Sequence, residues 1–260
     1  MERADKKGYL NENYRFFHST DNRDMDFEPH FHEFHKVVYC LRGHVLYTME
    51  GKNFHMSAGD LLLVPRHCIH KSYFRAQDGY ERILIFLQDS FLQSFSDETL
   101  SSLFARKGNA LLRPGGEAER LLLRGEESRG LLRTTYLLQF LLALGTLPDS
   151  QEEAEGQVSA PDVVRKILDY ITAHLADDLS LSALSARFFL SESRIMHLFK
   201  EYTGFSVHKY ISQKRLIASA DAIKRGMGVM EAARQSGWED YTAFLKAFRS
   251  LYGCLPSEMR

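Results

Sequence analysis

SESRIMHLFKEYTG (residues 191–204) and DYTAFLKAFRSLYG (residues 240–253) are two versions of one helix, 49 residues apart. In the first, Ile195, Leu198, Phe199 and Tyr202 fall at i, i+3, i+4 and i+7, the spacing of a single helical face. The same offset leads to Phe244, Ala247, Phe248 and Leu251, of like chemistry. Each copy opens on a residue suited to capping a helix, Ser191 or Asp240. Each closes on a glycine, Gly204 or Gly253, which tolerates the positive φ of a helix end. Lys200 maps to Arg249 and Ala183 to Ala232.

Working outward, a shorter helix precedes each copy, over Leu181–Arg187 and Val229–Gln235, joined to it by a tight turn at 188–190 or 236–239. Small residues in these helices, Ala183 with Ala186 and Ala232 with Ala233, permit close packing. The pattern predicts two helix-turn-helix units, whose second helices enter the major groove of DNA. Val207–Lys224 reads as the helix that connects them. Apolar stripes alone would also suit a plain helical bundle; the polar faces, the duplication and the charge argue for DNA. Residues 161–260 carry 14 Lys+Arg against 11 Asp+Glu, a net +3, while the rest carries 19 against 23, a net −4.

The segment 181–260 resembles the DNA-binding domain of AraC-type (AraC/XylS) regulators. The likeness rests on residues 191–206, on Tyr210 with Arg215-Leu216, on AARQSGWED (232–240), and on the closing run FLKAFRSLYGCLPSEMR (244–260). Trp238 stands where phenylalanine is usual, Ala243 where an aromatic is usual, and Ala232 where a larger aliphatic is usual. The resemblance implies base contacts from Ser193, Met196 and His197 in the first unit and from Tyr241, Thr242 and Lys246 in the second. Lys246 suits guanine O6/N7, Thr242 a base edge and Met196 a thymine methyl. Ser191, Arg194, Lys200, Lys214 and Arg249 are the candidates for phosphate contacts, with a solvated surface as the plain alternative.

Residues 9–88 read as short strands, among them Val37–Leu41, Val45–Met49 and Leu61–Val64, punctuated by Gly43, Gly51 and Gly59-Asp60. Such spacing predicts a sandwich or barrel. EPHFHEFHKVVYCLRG (28–43) and GDLLLVPRHCIH (59–70) resemble the cupin barrel that often precedes an AraC-type domain. In metal-binding cupins an HxH pair, a glutamate and a distant histidine converge. His30, His32 and His70 match that pattern, but Lys36 stands at the glutamate position. Strand parity puts residues 30, 32, 34 and 36 on one face, so Lys36 should point the same way as the two histidines, and His35 is off-parity. An ammonium among the histidines opposes a divalent cation. The expectation is therefore an effector pocket of His30, His32, Lys36 and His70 and no cofactor. A divalent metal on the three histidines, and histidines bonded within the core, stay open as alternatives.

The expected architecture is two-domain: an all-β cupin-like (jelly-roll) barrel with flanking helices, then an all-α domain of two helix-turn-helix units. The boundaries are 1–112 for the barrel, 113–147 for a helical dimerisation and connecting segment, 148–160 for an acidic linker, and 161–260 for the DNA-binding domain. The Leu-rich stretch 128–144 motivates a homodimer, with packing on its own barrel as the alternative. The expected function is sequence-specific transcription regulation on double-stranded DNA in response to a small-molecule effector, with RNA polymerase as a further partner. A cupin enzyme (isomerase or dioxygenase) with a DNA-binding tail is the competing reading. It is disfavoured by Lys36 and by the lack of a nucleophile elbow or phosphate loop. Three cysteines without CxxC spacing, no apolar run of membrane-spanning length, and an opening MERADKKGYL without signal-peptide character point to the cytoplasm and no membrane.

Overall fold

The computed structural model describes residues 10, 12–75, 79–108, 110–147, 158–159 and 161–259, in two compact units, Met1–Ser159 and Ala160–Arg260. In the first unit the strands are β1 (Tyr14–Asp21), β2 (Met25–Asp26), β3 (His35–Arg42), β4 (Val45–Met49), β5 (Lys52–Met56), β6 (Leu61–Val64), β7 (His70–Phe74), β8 (Tyr80–Leu87), β9 (Leu111–Leu112) and β10 (Val158–Ser159). They form two five-stranded antiparallel sheets, ordered β1-β8-β3-β6-β9 and β10-β5-β4-β7-β2.

β3 shows why this half reads as an apolar run rather than a clean alternation. Its two faces are both buried, in two different cores. Val37 and Tyr39 join Leu61, Leu63, Ile83 and Ile85 beneath the helices. Val38 and Cys40 point the other way and join Tyr47, Phe54, Leu62 and Phe74 inside the sandwich. The covering helices are α1 (Asp89–Gln93), α2 (Glu98–Lys107), α3 (Gly116–Glu127) and α4 (Gly130–Thr146). The last buries Leu137, Phe140, Leu141 and Leu144, a stripe at helical spacing, against the outer core. Gly43, between β3 and β4, has φ +89°, and a Cβ there would lie 2.3 Å from the Gly79 carbonyl oxygen. Only glycine fits that turn.

The expected linker holds one departure. Val158–Ser159 pair with Asn53 and Lys52 and extend the edge of the second sheet, although nothing in the acidic run around them signals a strand. The remainder of 148–160 lies outside the described residues.

The second unit comprises α5 (Asp162–Ala173), α6 (Leu181–Phe188), α7 (Glu192–Thr203), α8 (Val207–Lys224), α9 (Val229–Gln235), α10 (Tyr241–Tyr252) and a closing 3-10 turn, Pro256–Glu258. The capping residues act as their chemistry predicts. Ser191 Oγ accepts from the Arg194 amide at 3.2 Å, and Asp240 Oδ1 from those of Thr242 and Ala243 at 2.8 and 3.1 Å. Gly204 and Gly253 end their helices at φ +77° and +70°. The buried stripes keep Ile195, Leu198, Phe199, Phe244 and Phe248, but Thr203 and Tyr252 are buried, whereas Tyr202, Ala247 and Leu251 are only half-buried.

Candidate nucleic-acid interface and barrel pocket

Burying one stripe of α7 and α10 leaves the opposite face to solvent. Ser193, Met196 and His197 on α7 are exposed, as are Tyr241, Thr242 and Lys246 on α10. Met196 is 46% and Tyr241 38% exposed, so both side chains are open to a partner. Thr242 and Tyr241 sit in the first turn of α10, the end of a recognition helix that meets base edges. His197 Nε2 lies 3.7 Å from Glu201 one turn on, a carboxylate that competes with a base for the imidazole. Ser191, Arg194, Lys200 and Arg249 are exposed at the helix margins. Lys214 on α8 is half-buried, its Nζ 5.5 Å from the centre of the Tyr210 ring. α8 holds 18 residues. At roughly 1.5 Å per residue it is about 27 Å long, comparable to the roughly 34 Å between successive major grooves.

The turns of the two units are built differently. In the first, Phe189 caps α6 in the left-handed region at φ +55° and is 93% exposed. In the second, Gly237 takes the left-handed position at φ +86°, and a Cβ there would meet the Leu175 carbonyl oxygen at 2.1 Å. Arg215 of α8 locks this corner, donating to the carbonyls of Leu175 and Asp177 at 2.8 and 3.0 Å. The Arg215-Leu216 and SGW stretches of the sequence are thus one structural joint.

In the barrel, His30, His32 and His70 come together, and one ring nitrogen of each lies within 4.8 Å of the others. The reason is not the strand parity the sequence suggested. β3 begins at His35, and residues 30–34 form no strand. His30 is held instead by a bridge to His70, through backbone bonds of 3.0 and 2.9 Å. Lys36 does face the same interior as Val38 and Cys40, and it is only 9% exposed. His35 points to the helical side, with Nε2 3.1 Å from Asp89 and its ring stacked on Phe104. Burial first, then the Lys36 charge, holds the imidazoles of His32 and His70 well below the ordinary 6.5; His30 is lowered mainly by burial. His30 Nδ1 bonds to the Glu28 carbonyl at 2.7 Å and His70 Nδ1 to the Cys68 carbonyl at 3.0 Å. Both nitrogens of His32 and the Nε2 of His70 are buried without a hydrogen-bond partner among the described residues.

Three aromatic residues complete this wall, and sequence reasoning missed them. Phe34 stacks on His32 with centroids 4.6 Å apart and planes at 7°. Phe86 packs on Phe34 at 4.4 Å and pairs in register with Lys36. Tyr47 offers its ring face to Lys36 Nζ at 5.7 Å. Alternation within β4 and β8 was the available signal, but it says which face a residue takes and not which histidine it meets.

Two family models match this chain: the AraC-like ligand binding domain over residues 13–145 and a helix-turn-helix domain over residues 184–260. Among curated proteins the chain is similar to the HTH-type transcriptional activator RhaS of Escherichia coli strain SMS-3-5 and of Shigella sonnei strain Ss046. Each is 22% identical over 90% of this chain and 88% of the relative. Among solved structures it is similar to ToxT from Vibrio cholerae, with 14% identity, 95% of this chain and 97% of that one covered, and a TM-score of 0.39. The C-terminal domain of AraT, a response regulator from Geobacillus stearothermophilus, matches 39% of this chain and 85% of its own, with 22% identity and a TM-score of 0.38. With a ligand-binding model matching over half of its length and a helix-turn-helix model matching most of the remainder, the chain belongs to the AraC family of DNA-binding regulators.

Proposed function

We propose that the chain recognises a two-block operator through Ser193, Met196 and His197 of α7 and Tyr241, Thr242 and Lys246 of α10. Ser191, Arg194, Lys200, Lys214 and Arg249 hold the phosphates. The observation that carries this reading is the pair of solvent-facing surfaces on two capped helices, α7 and α10, linked through α8, about 27 Å long, and α9. The barrel is the sensor rather than a catalyst, and the wall of His30, His32, Lys36 and His70 meets a small-molecule effector. The test of the DNA reading is selection from random duplexes by full-length protein at two salt concentrations. The expected result is two short enriched blocks about one helical turn apart, bound more weakly as salt rises. Binding without a motif would reduce the interface to electrostatics, and no binding would remove it.

α4 supports a homodimer. Its inward stripe packs on the barrel, yet the outward side keeps Leu131, 82% exposed, with Leu132 and Leu142 also exposed. Both sequence alternatives for this helix therefore find a face, and the outer one fits a second copy. Sedimentation should give a dimer at tens of micromolar, and a monomer there would refute it. No helix among the described residues is long and apolar enough to cross a membrane. Action in the cytoplasm, and contact with RNA polymerase, go with this reading.

A further inference from the structure

We propose that the cavity beside the corner of the second helix-turn-helix unit binds a small organic cation with an apolar body, and that this occupant steadies α10 for DNA. The site itself stands apart from the DNA reading; its effect on α10 rests on that reading. The cavity encloses about 450 Å³, within the range of roughly 300–1,000 Å³ usual for small-molecule sites. It lies wholly within the helical unit, and none of the residues proposed to contact DNA lines it. Three segments meet there: the loop from α5 into α6, the first half of α8, and the corner 237–239.

The lining has two characters. Leu179, Val207 and Ile211 are buried, and the Trp238 ring is half-buried, set edge-on to Phe244 at 5.7 Å. Asp177, Asp178 and Glu239 line the same space as exposed carboxylates. Against them stands one guanidinium, Arg215. It is already committed, donating to the carbonyls of Leu175 and Asp177, and Glu239 draws it electrostatically. An anion would therefore meet three carboxylates and an occupied guanidinium. A neutral apolar ligand would leave the carboxylates unused. A cation with an apolar body covers the hydrophobic lining and complements the charge. Asp177 is shared with His174, whose Nδ1 lies 3.0 Å from its Oδ2, so Asp178 and Glu239 carry most of the recognition. Both are exposed, and solvent and salt hold each contribution to a few-fold.

The position of the cavity couples it to the recognition helix. Glu239 is followed by Asp240, the cap of α10, and then by Tyr241 and Thr242. Gly237 presses on the Leu175 carbonyl that Arg215 holds. An occupant against 237–239 fixes the approach to α10. Its charge also offsets carboxylates that oppose the phosphates of DNA. Ligand and operator then promote each other's binding by the same factor.

Trp238 is the chain's single tryptophan, so its fluorescence reports the cavity without a label. The test titrates full-length protein with phenethylammonium, phenethyl alcohol and phenylacetate, which carry positive, neutral and negative ends on one ring. A saturable change is expected, with phenethylammonium bound about fivefold or more tighter than the alcohol, and phenylacetate weakest. Asp178→Asn combined with Glu239→Gln should erase the preference for the cation over the alcohol. Asparagine keeps the oxygen that accepts from the Ser180 amide, so the loop is preserved. Ser212→Phe, which fills the cavity, should abolish the change, and exposed Asp169→Asn, off the lining, should leave it intact. Circular dichroism checks the fold of each variant. No saturable change, equal affinities for the probes, or a cation preference that survives the double variant in folded protein would overturn the site. For the coupling, phenethylammonium should tighten binding to the selected operator about twofold or more beyond an equal concentration of methylammonium, in the wild type and not in the double variant. No tightening while the fluorescence shows the cavity filled would overturn the effect on α10 alone. Absence of duplex binding with the fluorescence change intact removes the DNA reading and the coupling together, and leaves the site.

Discussion

The two helix-turn-helix units descend from one sequence pattern, yet they reach the same shape by different means. Both recognition helices start on a side-chain cap and end on a left-handed glycine. The corners before them diverge. The first turns on Phe189, a bulky residue in a conformation that costs about 1–2 kcal/mol and that solvent leaves unsupported. The second turns on Gly237, pressed against the Leu175 carbonyl and framed by Arg215. The faces differ likewise. The first unit presents Met196 and a histidine within reach of Glu201, while the second presents Lys246 on a helix that contains no Asp or Glu. The second corner is the more tightly framed, and we propose that its face is the more selective.

The largest effect should come from Gly237→Ala. A Cβ 2.1 Å from a carbonyl oxygen cannot be relieved by a side-chain rotation. Moving Arg215 instead would leave the Leu175 and Asp177 carbonyls without their donor. Strain at positive φ with one lost buried bond amounts to about 3 kcal/mol. Denaturant unfolding of residues 158–260 would measure it, and a loss below about 1 kcal/mol would show the corner to be pliable. Next comes Lys246→Ala, which should weaken operator binding by about 2 kcal/mol and relax preference at one base pair. Met196→Ala in the first unit should cost less. Equal costs, or an unchanged sequence profile, would break the asymmetry between the faces.

Helix caps give a finer comparison. Asp240 accepts from two backbone amides and Ser191 from one. Asp240→Ala should therefore destabilise by about 1.5 kcal/mol and Ser191→Ala by about 1 kcal/mol. If the order reverses under thermal unfolding, the second amide bond contributes nothing. These caps were legible in the sequence, as were the solvent-facing sides of α7 and α10, because a helix places side chains by local geometry alone. α8 and α9 begin and end on the residues expected of them for the same reason. The histidine cluster of the barrel was legible in its members, His30, His32 and His70, and not in its cause. His30 and His32 stand outside any strand, and His30 is held by its bridge to His70, a contact 40 residues away in the chain that no period encodes. Phe34, Tyr47 and Phe86 were hidden likewise, since alternation gives a face and leaves the partner across the sheets open. Val158–Ser159 became a strand only because β5 offers them an edge.

The smallest effect should be a gain. Phe189 maps in register onto Trp238, but its left-handed role belongs in the second unit to Gly237, one residue earlier. Copy one thus performs with a phenylalanine what copy two assigns to a glycine. At 93% exposure the ring returns little packing energy to the fold. Phe189→Asn keeps a side chain that tolerates the left-handed region, and should stabilise the domain by about 0.5 kcal/mol. Glycine would relieve the same strain but add freedom to the unfolded chain, so its gain should be smaller. Paired melts of the two variants against wild type check both statements. If Phe189→Asn lowers the melting temperature, the exposed ring is held by contacts that the isolated turn does not explain. The first corner would then be as firmly built as the second.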